Sequence, residues 1–111
     1  MAKTEFKTIR QKTENLLSKS EGLDVEFKEE IGGIEPEDLV AFANSPDGGF
    51  LLIGVSETED DQGQQRGEVV GCDISDQGKQ RIIGWARSCT PTVPLEIYVE
   101  NTNESPFLRV D

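Results

Sequence analysis

The stretch Ala41-Phe42-Ala43-Asn44-Ser45-Pro46-Asp47-Gly48-Gly49-Phe50-Leu51-Leu52-Ile53-Gly54-Val55 decides the fold. It reads as the end of a helix, a tight glycine turn, and a strand apolar on both faces. Asn44, Pro46, Asp47, Gly48 and Gly49 each tolerate or impose turn dihedrals, and together they make the strongest reversal signal in the chain. Phe50 to Val55 is the longest apolar run and predicts a central strand.

Upstream, Pro36 to about Asn44 predicts a helix. Proline suits its first position, and Glu37 and Asp38 favour the positive end of its dipole. With Glu35 as the cap, Ile34 and Leu39 occupy the two positions of a hydrophobic staple. Before it, Leu23 to Lys28 alternates: Leu23, Val25 and Phe27 form one side, Asp24, Glu26 and Lys28 the other, as in a strand with one buried face. Residues 4–19 place Phe6, Ile9, Thr13, Leu16 and Leu17 at spacings of three and four, which predicts a helix ending at Ser20-Glu21-Gly22.

Downstream, Glu57 to Gly67 carries five charges and no large apolar side chain, the composition of a mobile hairpin loop. Glu68 to Cys72 then returns as a short strand. Asp73 or Ser75 caps a helix over about 76–89, whose core stripe is Ile82, Trp85, Ala86 and Cys89, and Pro91 and Pro94 terminate it. Leu95 to Glu100 and Phe107 to Val110 complete the set as strands joined by a turn. This order gives an α+β single domain: a mixed or antiparallel sheet of about five strands, with about three helices mainly over one face.

Composition limits the chemistry. The 111 residues include no histidine and two cysteines, Cys72 and Cys89, which alone cannot make a four-ligand zinc site and are expected to be reduced, partly buried thiols. No apolar run spans a bilayer and no signal-peptide pattern is present, so a cytoplasmic protein is expected. There is no Walker-type phosphate loop and no Ser/His/Asp set, leaving carboxylates and basic residues as the reactive groups. No small-molecule substrate is evident.

The net charge is −11, unevenly spread. Residues 1–19 hold Lys3, Lys7, Arg10, Lys12 and Lys19 against Glu5 and Glu14, a balance of +3, whereas residues 20–111 carry −14. An acidic, lysine-poor surface also keeps proteins of halophilic organisms soluble. The basic N-terminal segment reads either as a solvated helix face or as a helix that tracks a phosphate backbone.

Taken together, Glu21-Gly22-Leu23-Asp24-Val25-Glu26-Phe27-Lys28, Ala41-Phe42-Ala43-Asn44, Gly48-Gly49-Phe50-Leu51-Leu52-Ile53-Gly54-Val55 and Val70-Gly71-Cys72 resemble the Schlafen AlbA-type domain, in the right order and spacing over about residues 20–100. The resemblance implies an Alba-like α+β core and a nucleic-acid-binding module (DNA or RNA) in transcriptional-regulator-like proteins, usually attached to further domains. Residues 1–19 are then expected to form a basic N-terminal helix and residues 20–111 the AlbA-type domain, with truncation from a longer protein expected from the strand that stops at the chain end. In the binding reading, which is non-catalytic and needs no cofactor, the candidate contacts are Lys7, Arg10, Lys12, Lys28, Lys79, Arg81 and Arg87.

For the Schlafen branch the resemblance implies instead a metal-dependent endoribonuclease with three carboxylates. Two carry over as Glu21 and Glu26, which would hold Mg²⁺ or Mn²⁺ through hard oxygen ligands. The third position falls at Val55-Ser56-Glu57. Ser56 stands directly after the strand, so Glu57 takes the role only if the strand end is bulged. That branch clasps RNA between two lobes, and a comparable clamp here would require a homodimer. A protein-interaction or oligomerisation domain is the remaining alternative.

Overall fold

The computed structural model describes residues 4–18, 25–35, 37–38, 49–59, 61–88 and 95–111. Glu21, Leu23, Cys89, Pro91, Pro94 and most of the expected helix over 36–44, with its glycine turn, lie outside the described residues. The alternation at Val25–Lys28 (β1) is realised as expected: Val25 and Phe27 are buried, and Glu26 and Lys28 are half-buried. β1 runs parallel to Phe50–Ile53 (β2), with Glu26 opposite Leu51 and Lys28 opposite Ile53. β2 pairs antiparallel with Phe107–Val110 (β6), and β6 with Ile97–Glu100 (β5), giving the order β1-β2-β6-β5.

Residues 4–10 correct one expectation. They are not helical. Phe6 donates its N–H to the Val99 carbonyl and Val99 donates to Thr4, so this segment lies parallel along β5 as a partial fifth strand. The helix is confined to Gln11–Leu17 (α1), which buries Thr13, Leu16 and Leu17. Its start is fixed from far away in sequence. The buried Glu100 carboxylate accepts the Arg10 N–H (2.7 Å) and the Thr13 hydroxyl (2.6 Å), satisfying the helix N-terminus with a side chain from β5.

Strand pleating divides the core into two layers. Val25, Phe27, Leu52 and Phe107 face α1, packing with Leu16, Leu17 and Val55. Leu51, Ile53, Val99, Leu108 and Val110 face the other way, packing with Ile31, Ile34 and Ile82. Ile82 belongs to the second described helix, Asp76–Ser88 (α2), so α1 and α2 cover opposite faces rather than one. Ser75 caps α2, its hydroxyl accepting the Gly78 N–H. Ala86 is buried on α2 and Trp85 packs at the margin of its layer.

The apolar run Phe50–Val55 is not one strand. Gly54 adopts φ 95°, and the chain bends there into Val55–Glu59 (β3). Its carbonyl accepts both the Val70 and Gly71 N–H groups, and a Cβ at Gly54 would lie 2.9 Å from the Gly71 carbonyl carbon. The bend also resets the side-chain phase, because Val55 joins Leu52 on the α1 side instead of following Ile53. The expected mobile loop is largely strand. Val55 to Glu59 pairs residue by residue with Gln65–Val69 (β4), leaving only the turn between them outside the ladder. The polar sequence hid this hairpin because only Val55 and Gly67 are fully buried in it, with Ser56, Thr58 and Val69 half-buried. No helix among the described residues is long and apolar enough to cross a membrane.

Candidate functional site

Basic and aromatic side chains gather where residues 4–10 and α1 meet strands β2, β6 and β5. Arg10 lies 4.7 Å from the centre of the Phe6 ring, and the Phe6 and Tyr98 rings are 6.4 Å apart, tilted by 36°. Arg109 lies 4.4 Å over Tyr98, and Lys12 4.6 Å over Phe50. Asp111 links the two halves, accepting from Arg109 Nε (3.0 Å) and pairing with Lys12 (3.6 Å). Lys7, Arg10 and Lys12 are all exposed. Arg10 and Lys12 therefore share one face, built over rings that the sheet holds in place, and Lys7 follows Phe6 in the segment leading to it.

A buried polar network supports this face. Arg109, at the centre of an otherwise apolar strand, donates to Glu100 Oε2 (2.7 Å) and to the Thr13 hydroxyl (3.1 Å). Every buried side-chain oxygen and nitrogen among the described residues has a hydrogen-bond partner. Burying such a pair is tolerable only when it is fully satisfied.

The other basic candidates lie elsewhere. Lys79, Arg81 and Arg87 sit on α2, across the sheet from α1, with Arg81 placed 5.2 Å over Trp85. The two basic sets do not make one continuous patch. Lys28 is engaged by Asp38 (3.1 Å) and Glu26 (3.5 Å). Burial pulls its pKa down, but the hydrogen bond and charge of Asp38, with Glu26 adding, outweigh this and hold it above the ordinary lysine value. Asp38 also accepts the Glu35 N–H (2.8 Å), the reciprocal half of a capping box that makes Glu35 the cap. The sequence signal for Asp38 was this three-residue spacing; its partner Lys28 was not readable.

Two of the three expected carboxylates, Glu26 and Glu57, are among the described residues. Glu21 lies outside the described residues. Glu26 leaves β1 on the face opposite Phe27. Glu57 stands across from Gly67, whose missing Cβ would point at Val55, Leu17 and Phe27 on the α1 side. The β3 ladder is regular through Glu57, without a bulge. Among the described residues no three acidic or thiol side chains come together as a metal site. Glu26 pairs with Lys28, which it shares with Asp38. A groove of about 710 Å³ between α1 and the β3–β4 hairpin is walled by Glu14, Glu59, Asp61 and Glu68, with Arg66 the one base in its lining, a surface that repels phosphate.

Comparison with known proteins agrees with this architecture. In solved structures the chain resembles the N-terminal domain of an ATP-dependent DNA helicase RecG-related protein from Nitrosomonas europaea, with TM-score 0.64 and 24% identity. The match covers 86% of this chain and 66% of that one, and it is a likeness of fold. A search of curated proteins finds no match. The family model described as Schlafen, AlbA_2 matches residues 21–111. The chain therefore belongs to the Schlafen AlbA_2 family.

Proposed function

We propose that the domain binds nucleic acid, DNA or RNA, without cleaving it, as a module of a regulator-type protein. The observation that carries this reading is the Arg10 and Lys12 face, with the exposed Lys7 just before it in the chain. A chain of net charge −11 holds two exposed cations on aromatic rings at the start of α1. Family membership supports the same reading, as does the helicase-related description of the structural neighbour.

Fluorescence anisotropy with labelled DNA and RNA oligonucleotides tests it. Three phosphate contacts give a salt exponent of about −2.1 to −2.7, so affinity should fall about 20- to 40-fold between about 50 and 200 mM salt. Reversing Lys7 and Arg10 to glutamate should abolish binding, while reversing Lys79 and Arg87 should leave most of it. Absence of binding at low salt would overturn the proposal. So would cleavage of RNA with Mg²⁺ or Mn²⁺ that Glu26→Gln abolishes.

A further inference from the structure

We propose that the face formed by Phe6, Arg10, Tyr98, Lys12 and Phe50 is a stacking platform for unpaired bases, so that the ligand is single-stranded nucleic acid. This rests on the nucleic-acid reading above and adds the strand state of the ligand and the groups that recognise it.

Cation–π pairs occur about once per 70–80 residues in folded proteins. This chain shows four among its described residues, and three of them, Arg10 on Phe6, Lys12 on Phe50 and Arg109 on Tyr98, lie on the α1 side of the sheet. The three are joined. Phe6 meets Tyr98, Tyr98 meets Arg109, and Asp111 connects Arg109 to Lys12. Arg109 is buried and tied to Glu100, so it serves as a fixed support. Arg10 is exposed. A planar guanidinium laid on the Phe6 ring can present its outer plane to a base, giving a ring–guanidinium–base stack.

The backbone holds this platform still. Phe6 is bonded on both sides, donating to Val99 and accepting from Thr102, and Arg10 is held through its N–H by Glu100. β2, β6, β5 and the residue 4–8 segment lie in that order across the sheet, and the register sets Phe50 level with Glu96 and Phe6 level with Glu100, so the two rings are about three strand spacings and four residue rises apart, roughly 19 Å. That distance suits about five to six nucleotides stacked at their ordinary rise.

The face includes carboxylates that limit it. Tyr98 donates its hydroxyl to Glu96, and Asp111 is taken by Arg109 and Lys12. Phosphate contacts are therefore few, and base stacking, which tolerates any sequence, supplies the larger share of the affinity. A duplex hides its base faces and gains only the weak phosphate part.

The test compares one single-stranded oligonucleotide carrying 2-aminopurine with the duplex of the same sequence, on the full chain. The expected result is at least about tenfold tighter binding of the single strand, with quenched 2-aminopurine fluorescence, and a loss of about 5- to 100-fold in Phe6→Leu. Phe6→Trp should restore affinity. Arg10→Lys keeps the charge but removes the plane, and being exposed it leaves the fold intact. It should weaken the single strand and leave the duplex unchanged. Equal affinity for both ligands, with neither variant having an effect, would overturn the platform while leaving nucleic-acid binding in place. Failure of both ligands to bind would overturn the underlying reading as well.

Discussion

Replacing Glu100 should be among the most damaging single changes in this domain. The side chain is fully buried and accepts three hydrogen bonds, from the Arg10 N–H, the Thr13 hydroxyl and Arg109 Nη1. Glu100→Ala leaves the Arg109 guanidinium without its main counter-charge and uncaps α1. Breaking a buried ion pair by removing one partner costs about 3–5 kcal/mol, and a lost cap about 1 kcal/mol. Arg109 keeps Asp111 through Nε, which places the expected total near the lower end, about 3–4 kcal/mol. For a domain of this size that lowers the melting temperature by roughly 12–20 °C. Glu100→Gln is not conservative here, since either orientation of the amide sets an NH₂ against the Arg10 N–H or the Arg109 guanidinium. Urea denaturation followed by circular dichroism, with a double-mutant cycle through Arg109→Met, gives the coupling directly. A cost below about 1 kcal/mol for Glu100→Ala, set against the 3–5 kcal/mol of a broken buried pair, would refute the claim that this network anchors α1.

Other outcomes follow from the same geometry. Thr13→Val, which removes only a buried hydroxyl bonded to Glu100, should cost about 1–2 kcal/mol in the same assay. Gly54→Ala should cost about 2–4 kcal/mol, because positive φ and a backbone carbon 2.9 Å away act together. Gly67→Ala should be milder, about 1 kcal/mol, since the atoms it meets are side-chain ends on Val55, Leu17 and Phe27. Burial pushes the Cys72 thiol up to about 11, with the charge of Asp73 adding. The folded state thus holds the proton more tightly than the unfolded chain. The resulting stability is fully present below pH 9 and declines as pH rises toward 11, and in a Cys89→Ser background Cys72 should react slowly with Ellman's reagent at pH 8. Rapid reaction in the folded state would contradict this.

Local patterns carried most of the fold. The alternation at Val25–Lys28 and the stripe through Ile82 and Ala86 each placed an element correctly, because each buries a regular face, and the apolar run from Phe50 placed an inner strand but not its end at Gly54. Residues 4–10 misled because the spacing of Phe6 and Ile9 suits a helix, while the bonds that fix them as an added strand come from Val99 and Thr102, more than ninety positions away. The β3–β4 hairpin was hidden for the opposite reason: it has almost no buried side chains to leave a pattern. Of the site, the basic residues near α1 were legible from charge alone. Their aromatic supports were not, since Phe6, Phe50 and Tyr98 meet these cations only through tertiary structure. The lone charges Glu100 and Arg109, each in an apolar strand, were the one readable sign of the buried pair.

An amide NMR titration of the ¹⁵N-labelled chain with a short single strand tests the central claim most directly. The account predicts shifts concentrated at residues 6–12 and around Tyr98, fading as salt is raised, with α2 unmoved. Shifts confined to Lys79, Arg81 and Arg87, or no shifts at low salt, would contradict it.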